Sequence, residues 1–229
     1  MSSDSKFAVV TGISSGLGAA ITKLLLAKDY IVFGGAKSPS SIDHDNLIES
    51  RLDVRSEESV VNFFDLVSET TSQIDLVVNN AGICELNNLE NTTAQEFMDH
   101  MSVNALGPLL ILKYGINYFR PAQTHIVNIL SLTAKHSYPH ALSYSASKHA
   151  MDAVINCVKK DWEKLNFRFS SLYSGAIDTP LWDKYENVTN REKMLSIDDF
   201  LYVFECTIDA PKNVQFEKLE FLSRDSLID

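Results

Sequence analysis

Cysteine is scarce in this chain. There are three, Cys84, Cys157 and Cys206, odd in number and widely spaced. That argues against a disulfide framework, and no metal-type spacing appears. Basic clusters are missing too. The longest is Lys159-Lys160, followed at once by Asp161, in a chain of formal net charge −10. Such a balance argues against nucleic acid and membrane surfaces as partners. No apolar run approaches the roughly 20 residues that span a bilayer. The opening MSSDSKF has no apolar signal-peptide core. The expectation is a cytoplasmic protein with free thiols. Repeats, low-complexity tracts and Pro/Gly/Ser-rich linkers are also lacking, so residues 1–229 read as one domain.

What is present is ordinary globular material, 45% hydrophobic and 22% charged. Short apolar runs (FAVVT, YIVFG, IDLVVN, HIVNIL, FRFSSLY) alternate with longer amphipathic stretches. Nearly continuous apolar runs suit parallel strands covered on both faces. Leu17, Ile21, Leu24 and Leu25 follow helical spacing, as do Val60, Phe63, Phe64 and Val67 after an acidic start. A third helix, DHMSVNALGPLLILKYGINYF, is expected to kink at Gly107-Pro108. A fourth contains Tyr144, and SIDDFLYVFECTI opens on a Ser cap. NVQFEKLEFLSRD reads as a last strand closing the sheet edge, through Val214, Phe216, Leu219 and Phe221. Strand alternating with helix predicts an α/β fold: a Rossmann-type doubly wound parallel sheet of about seven strands with helices on both faces. Its ligand should lie at the carboxyl ends of the strands.

Two local patterns carry chemistry. Gly12, Gly16 and Gly18 stand at the first strand-to-helix turn. There, glycines let the backbone approach a pyrophosphate, and the helix N-terminus presents free N–H groups. Ser14 and Ser15 add hydroxyl donors. A Gly/Ser turn alone would be weak evidence; its position in the alternation points to a nucleotide. In YSASK, Tyr144 and Lys148 are four residues apart and so share a helix face. An adjacent ammonium stabilises a phenolate and lowers the tyrosine pKa, tuning it for proton transfer. The pair by itself is common on solvated helices. Ser131, 13 residues earlier at a predicted strand end, supplies a hydroxyl where carbonyl charge would develop.

The ordered set TGISSGLG (11–18), Asp53 in RLDV, NNAG (79–82), Asn104 in VNALGP, Ser131, YSASK and SGAIDTP (174–180) resembles the classical short-chain dehydrogenases/reductases over almost the whole chain. The resemblance implies an enzyme acting on CH–OH/C=O with NAD(P). In it Tyr144 is the general acid/base, and Lys148 lowers its pKa and bonds the nicotinamide ribose. Ser131 polarises the substrate carbonyl, and Asn104 holds a water linking Lys148 to solvent. Gly12, Ser14, Ser15, Gly16, Leu17 and Gly18 would cradle the cofactor. Asn80, Ala81 and Gly82 would line the adenosine ribose, and Asp53 and Val54 would meet the adenine. Gly175, Ile177 and Thr179 would border the nicotinamide and phosphates.

Two positions depart from the family pattern. Leu130 stands where a serine is usual, and Ser174-Gly175 replaces Pro-Gly, which is expected to loosen the turn. No acid lies between Gly34 and Ser41, and Lys37 stands where many NADP-dependent members of the family carry arginine, a basic group that would welcome a 2′-phosphate. The expected cofactor is therefore NADP, with NAD the alternative. The substrate would be a small-molecule carbonyl or alcohol, under a loop at about 180–196. The resemblance also implies a homodimer or homotetramer. A non-catalytic NAD(P)-binding sensor of the same fold is the competing reading. Against it, both Tyr144 and Lys148 are present. His136, His140 and His149 lack acidic partners at coherent spacing, so no metal is expected.

Overall fold

The computed structural model describes residues 5–185 and 190–225. The strands are β1 (Lys6–Thr11), β2 (Tyr30–Ala36), β3 (Leu47–Arg51), β4 (Leu76–Asn79), β5 (His125–Ser131), β6 (Arg168–Ser174) and β7 (Lys218–Phe221). They form one parallel sheet in the order β3-β2-β1-β4-β5-β6-β7. The helices are α1 (Gly16–Ala27), α2 (Glu57–Thr70), α3 (Ala94–Met101), α4 (Gly107–Gly115), α5 (Leu142–Asp161) and α6 (Ile197–Ile208). The strand order reverses at β1 and β4, which places a crevice at their carboxyl ends.

Alternation along β1 shows how both faces are covered. Val9 points into a cluster with Phe63, Phe64, Ile111 and Met151, while Ala8 and Val10 face Ile21, Leu25, Phe200 and Phe204. Each side therefore has its own core, one under α2, α4 and α5 and the other under α1 and α6. Local signals set the helix starts. Ser56 accepts from the Ser59 N–H ahead of Glu57 and Glu58, and Ser196 with Asp199 forms a complete capping box.

The edges differ from the sequence reading. LIESR was not among the predicted strands, yet it is β3. It has only two apolar residues and pairs on one side alone, so it needs no continuous apolar run. At the other edge only Lys218–Phe221 is strand. Val214 and Phe216 lie before it, each 38% exposed.

The expected kink is also displaced. The helix widens into a π-helical segment at Ser102–Leu106, and Pro108 then sits in the first turn of α4, where its missing N–H costs nothing. Among the described residues no helix is long and apolar enough to cross a membrane.

Candidate active site

The turn after β1 is built around Gly12 and Gly16, at φ of +76° and +54°. These are left-handed conformations that favour glycine. The Asn80 amide clamps the turn, donating to the carbonyls of Thr11 (2.8 Å) and Gly12 (3.3 Å). The N–H groups of Asn80 and Ala81 both donate to Thr11 Oγ1 at 3.0 Å. Thr11 was not singled out in the sequence, where it reads as one more strand residue. It is buried and ties the glycine turn to the NNAG segment. The N-cap of α1, Ser15, makes no capping bond with its side chain, and the first turn carries no acid. The first N–H groups of α1 therefore have no side-chain acceptor at the cap.

Asn104 lies in the π-helical segment, fully buried. The widened turn lets its amide bracket Ile83: Oδ1 accepts from the Ile83 N–H and Nδ2 donates to the Ile83 carbonyl, both at 2.9 Å. Nδ2 also donates to Ser147 Oγ at 2.9 Å. Asn104 is thus more than a polar residue inside a helix. It joins α5 to the strand-end loop that carries Gly82. A Cβ on Gly82 would lie 3.3 Å from Asn104 Oδ1 and 3.8 Å from Lys148 Nζ, so both polar groups meet at that glycine.

Tyr144 and Lys148 share the inner face of α5, with the ammonium 5.8 Å from the phenol ring centre. Lys148 is buried, and its Nζ donates to the Ile129 carbonyl at 2.9 Å. The balance of effects differs from the sequence expectation. Burial is the largest influence on Tyr144 and holds its pKa above the ordinary value, while a hydrogen bond with Ser131 acts the other way. Burial also pulls Lys148 down to about 8. In this protein alone the ammonium is spent on Ile129 and does not overcome the desolvation of the phenol. His100, also missed in the sequence, buttresses the tyrosine. It is fully buried, its ring 6.5 Å from the Tyr144 ring, and its Nε2 accepts from the Glu85 N–H at 2.9 Å.

A lysine with a depressed folded pKa makes stability rise with pH. Between about 8 and the unfolded value of 10.5 the unfolded chain binds the extra proton. Below about 8 the charged form is buried at its full cost. Lys148→Met is therefore expected to raise unfolding stability at pH 7 by about 2 kcal/mol, net of the lost bond to Ile129. That gain should fade as pH climbs from 8 towards 10.5. Thermal melts of both proteins across that range check it.

Around these groups lies a cleft of about 720 Å³ at the strand ends. It is lined by Gly12, Ser14, Ser15, Gly16, Leu17, Gly18, Lys37, Asp53, Val54, Asn80, Ala81, Gly82, Ser131, Tyr144, Lys148, Gly175, Ile177 and Thr179. Asn104 stands just outside, reaching the cleft through Ile83. Two members behave differently from expectation. The Asp53 carboxylate is forked by Arg55, whose guanidinium holds it down to about 2. Its side chain is thus committed within the protein, while Val54 packs on Gly107. The Ser174-Gly175 turn, where the family pattern has a proline, is held by sheet pairing. Ser174 is paired between β5 and β7, and the Gly175 N–H donates to the Phe221 carbonyl at 2.8 Å. Lys37 is exposed at the rim and makes no salt bridge among the described residues.

Of the 180–196 segment, residues 186–189 lie outside the described residues. The rest is pinned at both sides. Lys184 donates to the Cys84 carbonyl at 2.7 Å, and Tyr185 accepts from the Leu86 N–H at 2.9 Å. Arg191 binds Asp178 and Asp183.

Comparison with known proteins agrees with this geometry. The family profile for short chain dehydrogenase matches residues 6–189, and the chain belongs to the short-chain dehydrogenase/reductase family of oxidoreductases. It is 29% identical over 205 residues to a 3-amino-tetrahydro-pyrrolizinone reductase of Xenorhabdus hominickii, covering 87% of this chain and 71% of that one. It is 34% identical over 190 residues to an L-fucose dehydrogenase of Mus musculus, covering 78% and 68%. An alcohol dehydrogenase from the archaeon Thermococcus sibiricus, solved with 5-hydroxy-NADP, shares 27% identity at a TM-score of 0.87, covering 99% of this chain and 100% of that one.

Proposed function

We propose that this protein is an NADP(H)-dependent oxidoreductase interconverting a carbonyl and a secondary alcohol of a small molecule. In this reading residues 1–229 act as one NAD(P)-binding domain in the cytoplasm, as a homodimer or homotetramer, with 180–196 as the substrate loop. The observation that carries it is the convergence on one cleft of an uncapped, glycine-turned helix N-terminus with Ser131, Tyr144 and Lys148. The residues fit a dinucleotide. The α1 N-terminus and Gly12–Gly18 suit the pyrophosphate, and Lys37, exposed at the rim with no salt bridge among the described residues, suits a 2′-phosphate. The 5-hydroxy-NADP complex of the archaeal relative supports the same reading.

When bound, the cofactor supplies or accepts the hydride. The chain's own groups handle the proton and the oxygen. Ser131 donates to the carbonyl oxygen as charge develops there, and Tyr144 passes it the phenolic proton. A phenol held above its usual pKa stays protonated at neutral pH, which suits the acid role in reduction. Lys148 would stabilise the phenolate left behind, and its ammonium, which donates to the Ile129 carbonyl, would also bond the nicotinamide ribose. Asn104, its amide held by Ile83 and Ser147, would hold a water between Lys148 and solvent.

Titration of protein fluorescence with NADPH and with NADH tests the cofactor. NADPH is expected to bind more tightly, and Lys37→Ala to weaken it about fivefold while leaving NADH unchanged, as for one exposed ion pair. A wild-type preference for NADH sinks the NADP assignment and leaves the Tyr144 chemistry standing.

A further inference from the structure

Beyond Tyr144 the cleft is walled by Cys84, Leu86, Leu132, Tyr138, Leu181 and Trp182. Among the described residues that line the whole cleft, the charged ones are Lys37, Asp53 and Lys148. Lys37 and Asp53 sit at the β2 and β3 ends, and Lys148, the one cation near Cys84 among these lining residues, is buried with its Nζ donating to the Ile129 carbonyl. Several polar groups around the wall are held by protein partners. Trp182 Nε1 donates to the Ile177 carbonyl at 2.8 Å, leaving the indole ring as an apolar surface. The Leu86 N–H is taken by Tyr185, the Cys84 carbonyl by Lys184, and the Glu85 N–H by His100. Lys184 and Glu85 pair with each other. Burial pushes the Cys84 thiol up to about 11, so it is uncharged at neutral pH. Thr133 and Tyr138 add hydroxyls to the lining, and Thr133 Oγ1 is buried with no hydrogen-bond partner among the described residues.

We propose that the substrate is an uncharged, predominantly apolar ketone or secondary alcohol, carrying one reacting oxygen and few other polar groups. This rests on the oxidoreductase reading above and deepens it. In the reduction, the carbonyl carbon gains a hydride, its two electrons coming from the reduced nicotinamide, and the oxygen gains the Tyr144 proton. A carboxylate or phosphate on the substrate would be desolvated, and among the described lining residues the nearby cation, Lys148, is already held by the Ile129 carbonyl. A sugar would bring several hydroxyls to a wall able to pair with one or two, and each one left unpaired costs about tenfold.

Paired kinetics test this. With NADPH, 2-octanone is compared with 2-oxooctanoate; with NADP⁺, a methylcyclohexanol is compared with L-fucose. The apolar member of each pair is expected to have at least about 100-fold higher kcat/KM. Trp182→Ala should lower kcat/KM for 2-octanone about tenfold while leaving NADPH affinity unchanged. Parity, or a preference for the oxo acid or the sugar, overturns the proposal. Thermal shifts with NADP⁺ present give a second readout: stabilisation by methylcyclohexanol and not by L-fucose supports it. If the cofactor binds and no apolar probe either reacts or stabilises, the substrate proposal falls and the cofactor reading stands. If no nicotinamide cofactor binds, the oxidoreductase reading itself fails.

Discussion

Tyr144→Phe is expected to lower kcat about 1,000-fold while leaving NADPH affinity and the melting temperature nearly unchanged. The substitution removes only the phenolic oxygen from a ring held against His100 and beside Lys148. The packing survives, and the group that would carry the proton does not. General acid–base catalysis by one positioned side chain contributes roughly 10²–10⁴-fold. Steady-state kinetics with the best carbonyl substrate, alongside fluorescence titration of NADPH, separate the two quantities. A variant that keeps more than a tenth of wild-type kcat would move the proton transfer to another group. Equal loss of binding and turnover would mean that the ring, rather than its hydroxyl, is what the site needs. A cofactor-binding protein without turnover predicts neither change.

The second large effect is steric. A methyl group at Gly18 would fall on the Gly12 carbonyl oxygen and lie 2.5 Å from Asn80 Nδ2. Neither neighbour is the free end of a flexible chain. The first is backbone of the glycine turn, and the second is the amide that clamps it to β4. Gly18→Ala is therefore expected to destabilise by about 3 kcal/mol or more and to weaken nicotinamide binding together with stability. For a chain of this size that is a fall of roughly 6–12 °C in melting temperature. Gly16→Ala makes a useful contrast. Its nearest neighbour would be Thr179 Cβ at 3.8 Å, so space is open and only the left-handed backbone is strained. That costs about 1–2 kcal/mol. Similar melting temperatures for the two variants would contradict the placement of Gly18 against Gly12.

Much of this site was legible because its parts lie close in sequence. Gly12, Gly16 and Gly18 fall within one turn, and Tyr144 and Lys148 within one helical repeat. Backbone geometry alone brings such groups together. Nearly continuous apolar runs likewise announced β1, β2, β4 and β5, since strands buried on both faces have no polar alternation to hide them, while β6 was read from the sparser apolar content of FRFSSLY. What escaped were residues whose work depends on partners far along the chain. Thr11 receives N–H groups from residues 69 and 70 positions away. His100 meets Tyr144 across the gap between α3 and α5. β3 owes its strand character to β2 rather than to its own residues.

The sequence by itself determined the alternation of strands and helices, the glycine turn and the Tyr144–Lys148 spacing, because these follow from local geometry and hydrophobic periodicity. Only the tertiary structure decided how those groups are tuned. It buries Tyr144 and Lys148 enough that desolvation, not their mutual charge, sets their proton affinities. It commits Asp53 to Arg55, Trp182 Nε1 to the Ile177 carbonyl and the Leu86 N–H to Tyr185. Burial and partner choice are properties of the packed chain, and no spacing in the sequence encodes them directly.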